Sequence, residues 1–139
     1  MLATQVFQQL WDALHERMPD GSRRWRYIVL EGSSRSSKTA SIIQALDLLA
    51  QENLYWRICA YRNTKKDCRD TVLKDIKRYF QIWPYVPRKY NATESFYTYS
   101  SKSTLEMHGC DQEVSSMGAN KHVAFLNEPY LIAPNVFNQ

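Results

Sequence analysis

Arg26-Tyr27-Ile28-Val29-Leu30-Glu31 runs directly into Gly32-Ser33-Ser34-Arg35-Ser36-Ser37-Lys38-Thr39, and Ile42, Ile43, Leu46 and Leu49 follow at helical spacing. A short apolar run, a polar loop and an amphipathic helix in that order predict a buried strand feeding a helix through a tight turn. The loop fits G-x-x-x-x-G-K-[ST] with Ser37 in place of the second glycine. Successive backbone N–H groups in such a loop turn inward and cradle phosphate oxygens, and the helix N-terminus adds partial positive charge. On this reading Gly32 to Thr39 hold a nucleotide's phosphates, Lys38 reaches the β and γ phosphates, and the Thr39 hydroxyl binds Mg²⁺. The competing reading is a Ser-rich turn with a capping threonine. Strand, Lys-Thr pair and helix in one register favour the phosphate loop.

A second apolar run, Val123-Ala124-Phe125-Leu126, ends in Asn127-Glu128, with Asn127 lying 88 residues after Thr39. Phosphate-loop ATPases place such a strand beside the loop. Its first polar residue holds Mg²⁺, and the following glutamate activates the attacking water. Here Asn127 stands where an aspartate is usual, so the neutral amide binds Mg²⁺ more weakly, and Glu128 is the candidate base. Arg62-Asn63-Thr64-Lys65-Lys66 follows a further predicted strand, Tyr55 to Tyr61. That is the sheet edge where α/β proteins bind ligands, and a solvated helix start reads equally well.

Outward from these stretches, Ala3 to Met18 predicts an amphipathic helix with Val6, Leu10, Leu14 and Met18 on one stripe. Lys66 to Gln81 predicts another, with Val72, Leu73, Ile76 and Phe80 inward. Pro84 and Pro87 punctuate a connection, and Ser95 to Tyr99 and Ser103 to His108 predict a hairpin. His122 to Leu126 reads as a buried strand, Val114 to Ala119 is ambiguous, and a helix is expected from Asn135. Alternating strands and helices imply an α/β sandwich with a mostly parallel sheet and an antiparallel hairpin added to it.

The 139 residues, 44% of them hydrophobic, suit one globular domain and exclude a disordered chain. No apolar run is long enough for a transmembrane helix, and the start lacks the pattern of a signal peptide, so a cytoplasmic location is expected. Cys59, Cys68 and Cys110 are an odd number at unrelated spacings and read as reduced thiols. His108 and Cys110 lack partners at zinc spacing and read as structural. Residues 1–90 hold 16 of the 18 basic residues and 9 of the 14 acidic ones. That excess suits either a polyanion partner or an ordinary solvated surface.

Together these stretches resemble the N-terminal ATPase domain of the large terminase subunit of tailed bacteriophages, from Tyr27 to Gln139. Four pieces carry the likeness: the arginine-containing loop Gly32 to Thr39, the Arg62-Asn63-Thr64 segment with Asp67 to Val72, the stretch Ser103 to Gly118, and Phe125-Leu126-Asn127-Glu128. Within Ser103 to Gly118, Leu105, His108-Gly109-Cys110-Asp111 and Ser115 to Gly118 are similar to the family's "I-x-F-x-G-x-D … K-x-x-G" pattern. In that family Arg35 and Ser37 are expected loop variants, whereas Pro129 departs from the small residue that follows the acidic motif.

The resemblance implies a P-loop NTPase fold of the ASCE/RecA-like type, a three-layer α/β sandwich present in part, over residues 1–139 and with no counterpart of the family's nuclease domain. It implies ATP and Mg²⁺ as ligands, with Gly32, Ser33, Ser34, Arg35, Ser36, Ser37, Lys38 and Thr39 binding nucleotide and Thr39 and Asn127 at the metal. Glu128, Lys38 and Arg35 are then catalytic, Arg35 acting on the γ-phosphate in its own subunit or a neighbour's. It implies double-stranded DNA, further copies in a ring, a portal protein and a small terminase subunit as partners, in the cytoplasm of a bacterial host. Two other readings stay open: another ATPase of DNA metabolism, of helicase or recombination type, and a non-enzymatic basic DNA-binding or assembly module.

Overall fold

In the computed structural model, residues 5–25, 28, 38–109 and 121–126 are described. The expected strand Arg26 to Glu31 lies outside them except for Ile28, as do Val114 to Ala119 and the helix expected from Asn135. The chain divides into two compact units, Met1–Leu46 and Asp47–Gln139.

In the first unit, α1 (Gln5–His15) is shorter than the predicted helix and buries Phe7 and Leu10. Trp11 stacks on Phe7 with ring centroids 5.7 Å apart, and the His15 ring lies 4.2 Å from Trp11. The chain then turns through Pro19 to Ser22. Met18 N–H donates to the Ser22 carbonyl, Asp20 accepts from Ser22, and Gly21 takes a φ of 88°, which glycine adopts without steric cost. Helix α2 (Lys38–Glu52) begins one residue before the helix that the sequence predicts over Thr39 to Ala50 and continues two residues past it, into the second unit.

The second unit is built on a five-stranded sheet in the order β2-β3-β4-β1-β5, from β1 (Arg57–Arg62), β2 (Arg88–Asn91), β3 (Phe96–Tyr99), β4 (Thr104–Gly109) and β5 (Val123–Leu126). β1 pairs in parallel with β4 and β5, while β3 runs antiparallel to β2 and β4. Four strands therefore point one way and β3 alone points back, which is the mostly parallel sheet with an added hairpin. The hairpin has one strand more than the sequence predicts. β2 follows Pro87 within the stretch read as a connection, since four residues with three polar side chains give no apolar run to detect.

Between β1 and β2 the predicted long helix forms as α3 (Lys65–Cys68), a π-helical turn (Arg69–Leu73) and α4 (Lys74–Ile82). Thr64 caps it, its hydroxyl accepting from Asp67 N–H at 3.0 Å. Val72, Leu73 and Ile76 are buried as expected, together with Tyr79. Phe80 is half-buried and packs edge-on to Tyr97 at 4.9 Å.

The sheet has two unlike faces because strand side chains alternate. Ile58, Ala60, Leu105, Met107, Tyr97 and Tyr99 share one buried face, and on the other face of β1 Cys59 and Tyr61 are fully buried as well. On the first of these faces Asp47, from α2, is fully buried. Arg88 grips it with two N–H donors at 2.8 and 2.7 Å, and the Tyr99 hydroxyl donates at 2.5 Å. Arg88 also lies over the Phe80 ring at 3.7 Å. Burial pulls the Arg88 pKa down, but its hydrogen bonds to Asp47 outweigh that and hold it above the ordinary value. Burial, then the neighbouring Asp47 charge, push the Tyr99 phenol well up.

Removing one member of a buried pair strands the other's charge. Asp47→Ala is expected to cost about 3–5 kcal/mol in urea unfolding, and the double substitution Asp47→Leu/Arg88→Met is expected to cost less than Asp47→Ala alone. A loss under about 1 kcal/mol for Asp47→Ala would contradict the burial of this pair.

Candidate phosphate-binding site

Lys38 and Thr39 are the first two residues of α2 and both are half-buried. The first-turn N–H groups of a helix have no intrahelical acceptor and carry partial positive charge. No acidic side chain occupies the first turn of α2 to neutralise it. Ser41, one turn in, is buried, as are Ile43, Ala45, Leu49 and Ala50. Ammonium, hydroxyl and amide donors are thus gathered at one helix end, a donor set suited to phosphate oxygens and, through the hydroxyl, to a hard cation. The other loop residues, Gly32, Ser33, Ser34, Arg35, Ser36 and Ser37, lie outside the described residues.

β5 ends at Leu126, which is in register with Tyr61 of β1. The C-terminal end of β5 therefore sits at the sheet edge where Arg62 ends β1. Asn127 and Glu128, next in sequence, lie outside the described residues. At the same edge Asn63 and Thr64 lead into α3, and Thr64 is committed to capping. Arg69, on the following π turn, donates from Nε to the buried Ser95 hydroxyl at 2.8 Å, joining this helix to the start of β3.

The opposite sheet face carries a polar network that sequence reasoning missed. Arg57, Cys59 and Tyr61 of β1 are register partners of Thr104, Glu106 and His108 of β4. Arg57 binds both Glu106 oxygens, at 2.8 and 3.0 Å, Thr104 donates to Oε2 at 2.8 Å, and His108 Nε2 lies 2.9 Å from Oε1. The His108 ring stacks on Tyr61 with centroids 5.5 Å apart. Burial would raise the Glu106 pKa, but hydrogen bonds from His108, Arg57 and Thr104 overcome it and bring the carboxyl down to about 2. Burial pushes the Cys59 thiol up to about 11. Arg57, Lys65, Glu94, Phe96 and His108 help line a cleft of about 430 Å³ over this network. The signal available in the sequence was the alternation of polar residues along Thr104-Leu105-Glu106-Met107-His108. Its partners on β1 lie nearly fifty residues away, so only the register reveals them.

The described structure is thus a mixed α/β fold whose five-stranded, mostly parallel sheet is flanked by helices and extended by an antiparallel hairpin. The chain is similar to the large terminase of a thermophilic bacteriophage in two crystal forms, with TM-scores of 0.76 and 0.73 and sequence identities of 16% and 14%. Each match covers 99% of this chain and 35% or 34% of the terminase, so the chain spans about a third of the length of the structures it matches. No protein-family model and no curated protein matches it. No helix among the described residues is long and apolar enough to cross a membrane.

The lowered Glu106 pKa makes stability depend on pH. A depressed carboxyl stabilises the fold above its unfolded value near 4.5, and that contribution is lost as pH falls toward about 2. Glu106→Gln is expected to cost on the order of 2–3 kcal/mol at pH 7 by urea unfolding, with the gap to the parent closing as pH drops through that window. A gap that stays constant as pH falls from neutral through that window would contradict the network.

Proposed function

We propose that this chain is the ATP-binding part of a viral DNA-packaging motor, coupling ATP hydrolysis to translocation of double-stranded DNA into procapsids. One observation carries the reading: Lys38-Thr39, the end of the Gly32 to Thr39 loop motif, opens a 15-residue helix in a chain that shares the fold of a phage large terminase.

In this reading the loop amides from Gly32 to Thr39 bind the phosphates, and Lys38 offsets the negative charge that builds on the γ-phosphate and its leaving oxygen. Thr39 and Asn127 would hold Mg²⁺, which when bound screens the phosphate oxygens. Glu128 takes a proton from the attacking water as its oxygen bonds to γ-phosphorus and the bond to the β-phosphate oxygen breaks, giving ADP and inorganic phosphate. Arg35 supplies a second positive charge to the γ-phosphate, from its own subunit or a neighbour's.

DNA phosphates meet the basic first two-thirds of the chain, an attraction that weakens with salt. Further copies in a ring, a portal protein and a small terminase subunit complete the motor in the cytoplasm of a bacterial host, the chain being phage- or prophage-encoded.

Titration calorimetry with Mg·ATP tests this directly. Saturable binding is expected for the parent and is expected to vanish in Lys38→Ala, with the fold of both checked by circular dichroism. Glu128→Gln is expected to keep nucleotide affinity while turnover falls by about 10²–10⁴-fold. A folded parent that does not bind Mg·ATP, or binds equally well as Lys38→Ala, overturns the reading.

A further inference from the structure

We propose that Cys59, Glu106 and His108 form a binding site for a borderline-soft divalent cation of the Zn²⁺ class, with Cys59 buried at its floor and Glu106 and His108 half-buried beside it. Their ligand atoms, one thiol sulfur, one carboxylate oxygen and one imidazole nitrogen, all lie within 4.8 Å of one another. Metal–ligand lengths of about 2.0–2.3 Å place neighbouring tetrahedral ligands roughly 3.3–3.7 Å apart, so side-chain adjustments of about 1 Å assemble the site.

The geometry comes from the sheet. Cys59 and Glu106 are direct register partners on β1 and β4, and His108 is two residues beyond Glu106 on the same face. Two ligands are already oriented. Arg57 and Thr104 hold the Glu106 carboxylate, and the His108 ring lies against Tyr61. Such outer contacts fix ligand direction in metal sites.

His108 Nε2 now faces Glu106 Oε1 at 2.9 Å, and in the bound state both turn their lone pairs to the ion. Cys59 S–H gives its proton to solvent as the sulfur–metal bond forms. Thiolate and carboxylate then carry two negative charges, which the dication balances, with Arg57 and Lys121 as the nearby cations. The cleft beside Glu106 and His108 leaves the fourth position to water. The sulfur and imidazole ligands favour Zn²⁺ or Co²⁺ over Mg²⁺, which requires an octahedron of oxygens.

Co²⁺ titration of the whole chain without nucleotide tests this by its sulfur-to-cobalt charge-transfer absorption. The expected result is a band that saturates at one Co²⁺ per chain, is displaced by Zn²⁺ and persists in excess Mg²⁺. Cys59→Ser is expected to abolish it. His108→Gln, closer to solvent and independent of how Cys59→Ser folds, is expected to weaken Co²⁺ at least about tenfold. No band in the folded parent overturns the proposal, as does a band that survives in Cys59→Ser, which assigns the metal to Cys68 or Cys110. Unchanged affinity in folded His108→Gln also overturns it.

Discussion

A buried carboxylate organises the second unit. Asp47 is fully buried, and an isolated carboxylate there would cost far more than the fold's whole stability. It is tolerated because Arg88 and Tyr99 place three donors on it. Those donors come from β2 and β3, and Asp47 comes from α2. The second half of α2 is thereby tied to the antiparallel edge of the sheet in one register. The same guanidinium covers Phe80 of α4, so helix and hairpin share one charged contact. A slip of one residue in β2 would turn Arg88 to the other face and leave the buried Asp47 charge without its cation, held only by Tyr99 and Gln51.

That constraint separates the sheet's two faces by chemistry. The core face combines aliphatic residues of β1 and β4 with the hairpin's tyrosines and one satisfied ion pair. On the other face Arg57, Glu106 and His108 form a network that lines a cleft, and Cys59 lies fully buried beside it. The order in which the parallel strands lie also sends the ends of β1 and β5 to one sheet edge. Polar residues that follow those ends in sequence, Asn63 and Thr64 after β1 and Asn127 and Glu128 after β5, are the kind an α/β sheet uses for ligands.

Much of this was legible in the amino-acid sequence wherever periodicity and punctuation agreed. α2 carries apolar residues at helical spacing directly after a Ser-rich loop, and β1, β3, β4 and β5 fall within a residue or two of their expected runs. β2 was not legible, because Arg88-Lys89-Tyr90-Asn91 owes its strand to pairing with β3 and to the demand of Asp47 for a cation. The ion pair spans 41 residues and the Cys59–Glu106 pairing 47, and no local pattern records such distances. At the candidate phosphate site, motif spacing identified Lys38 and Thr39, which the structure places at a helix start. Roles for Arg35, Asn127 and Glu128 rest on spacing and resemblance.

Everything proposed for this chain's function depends on phosphate binding where the Gly32 to Thr39 loop meets α2. Amide-resolved NMR during titration with Mg·ATP reads this at every backbone N–H. The largest shifts are expected on the amides from Gly32 to Thr39, saturating together. Shifts confined to other residues, with those amides unmoved, would contradict it.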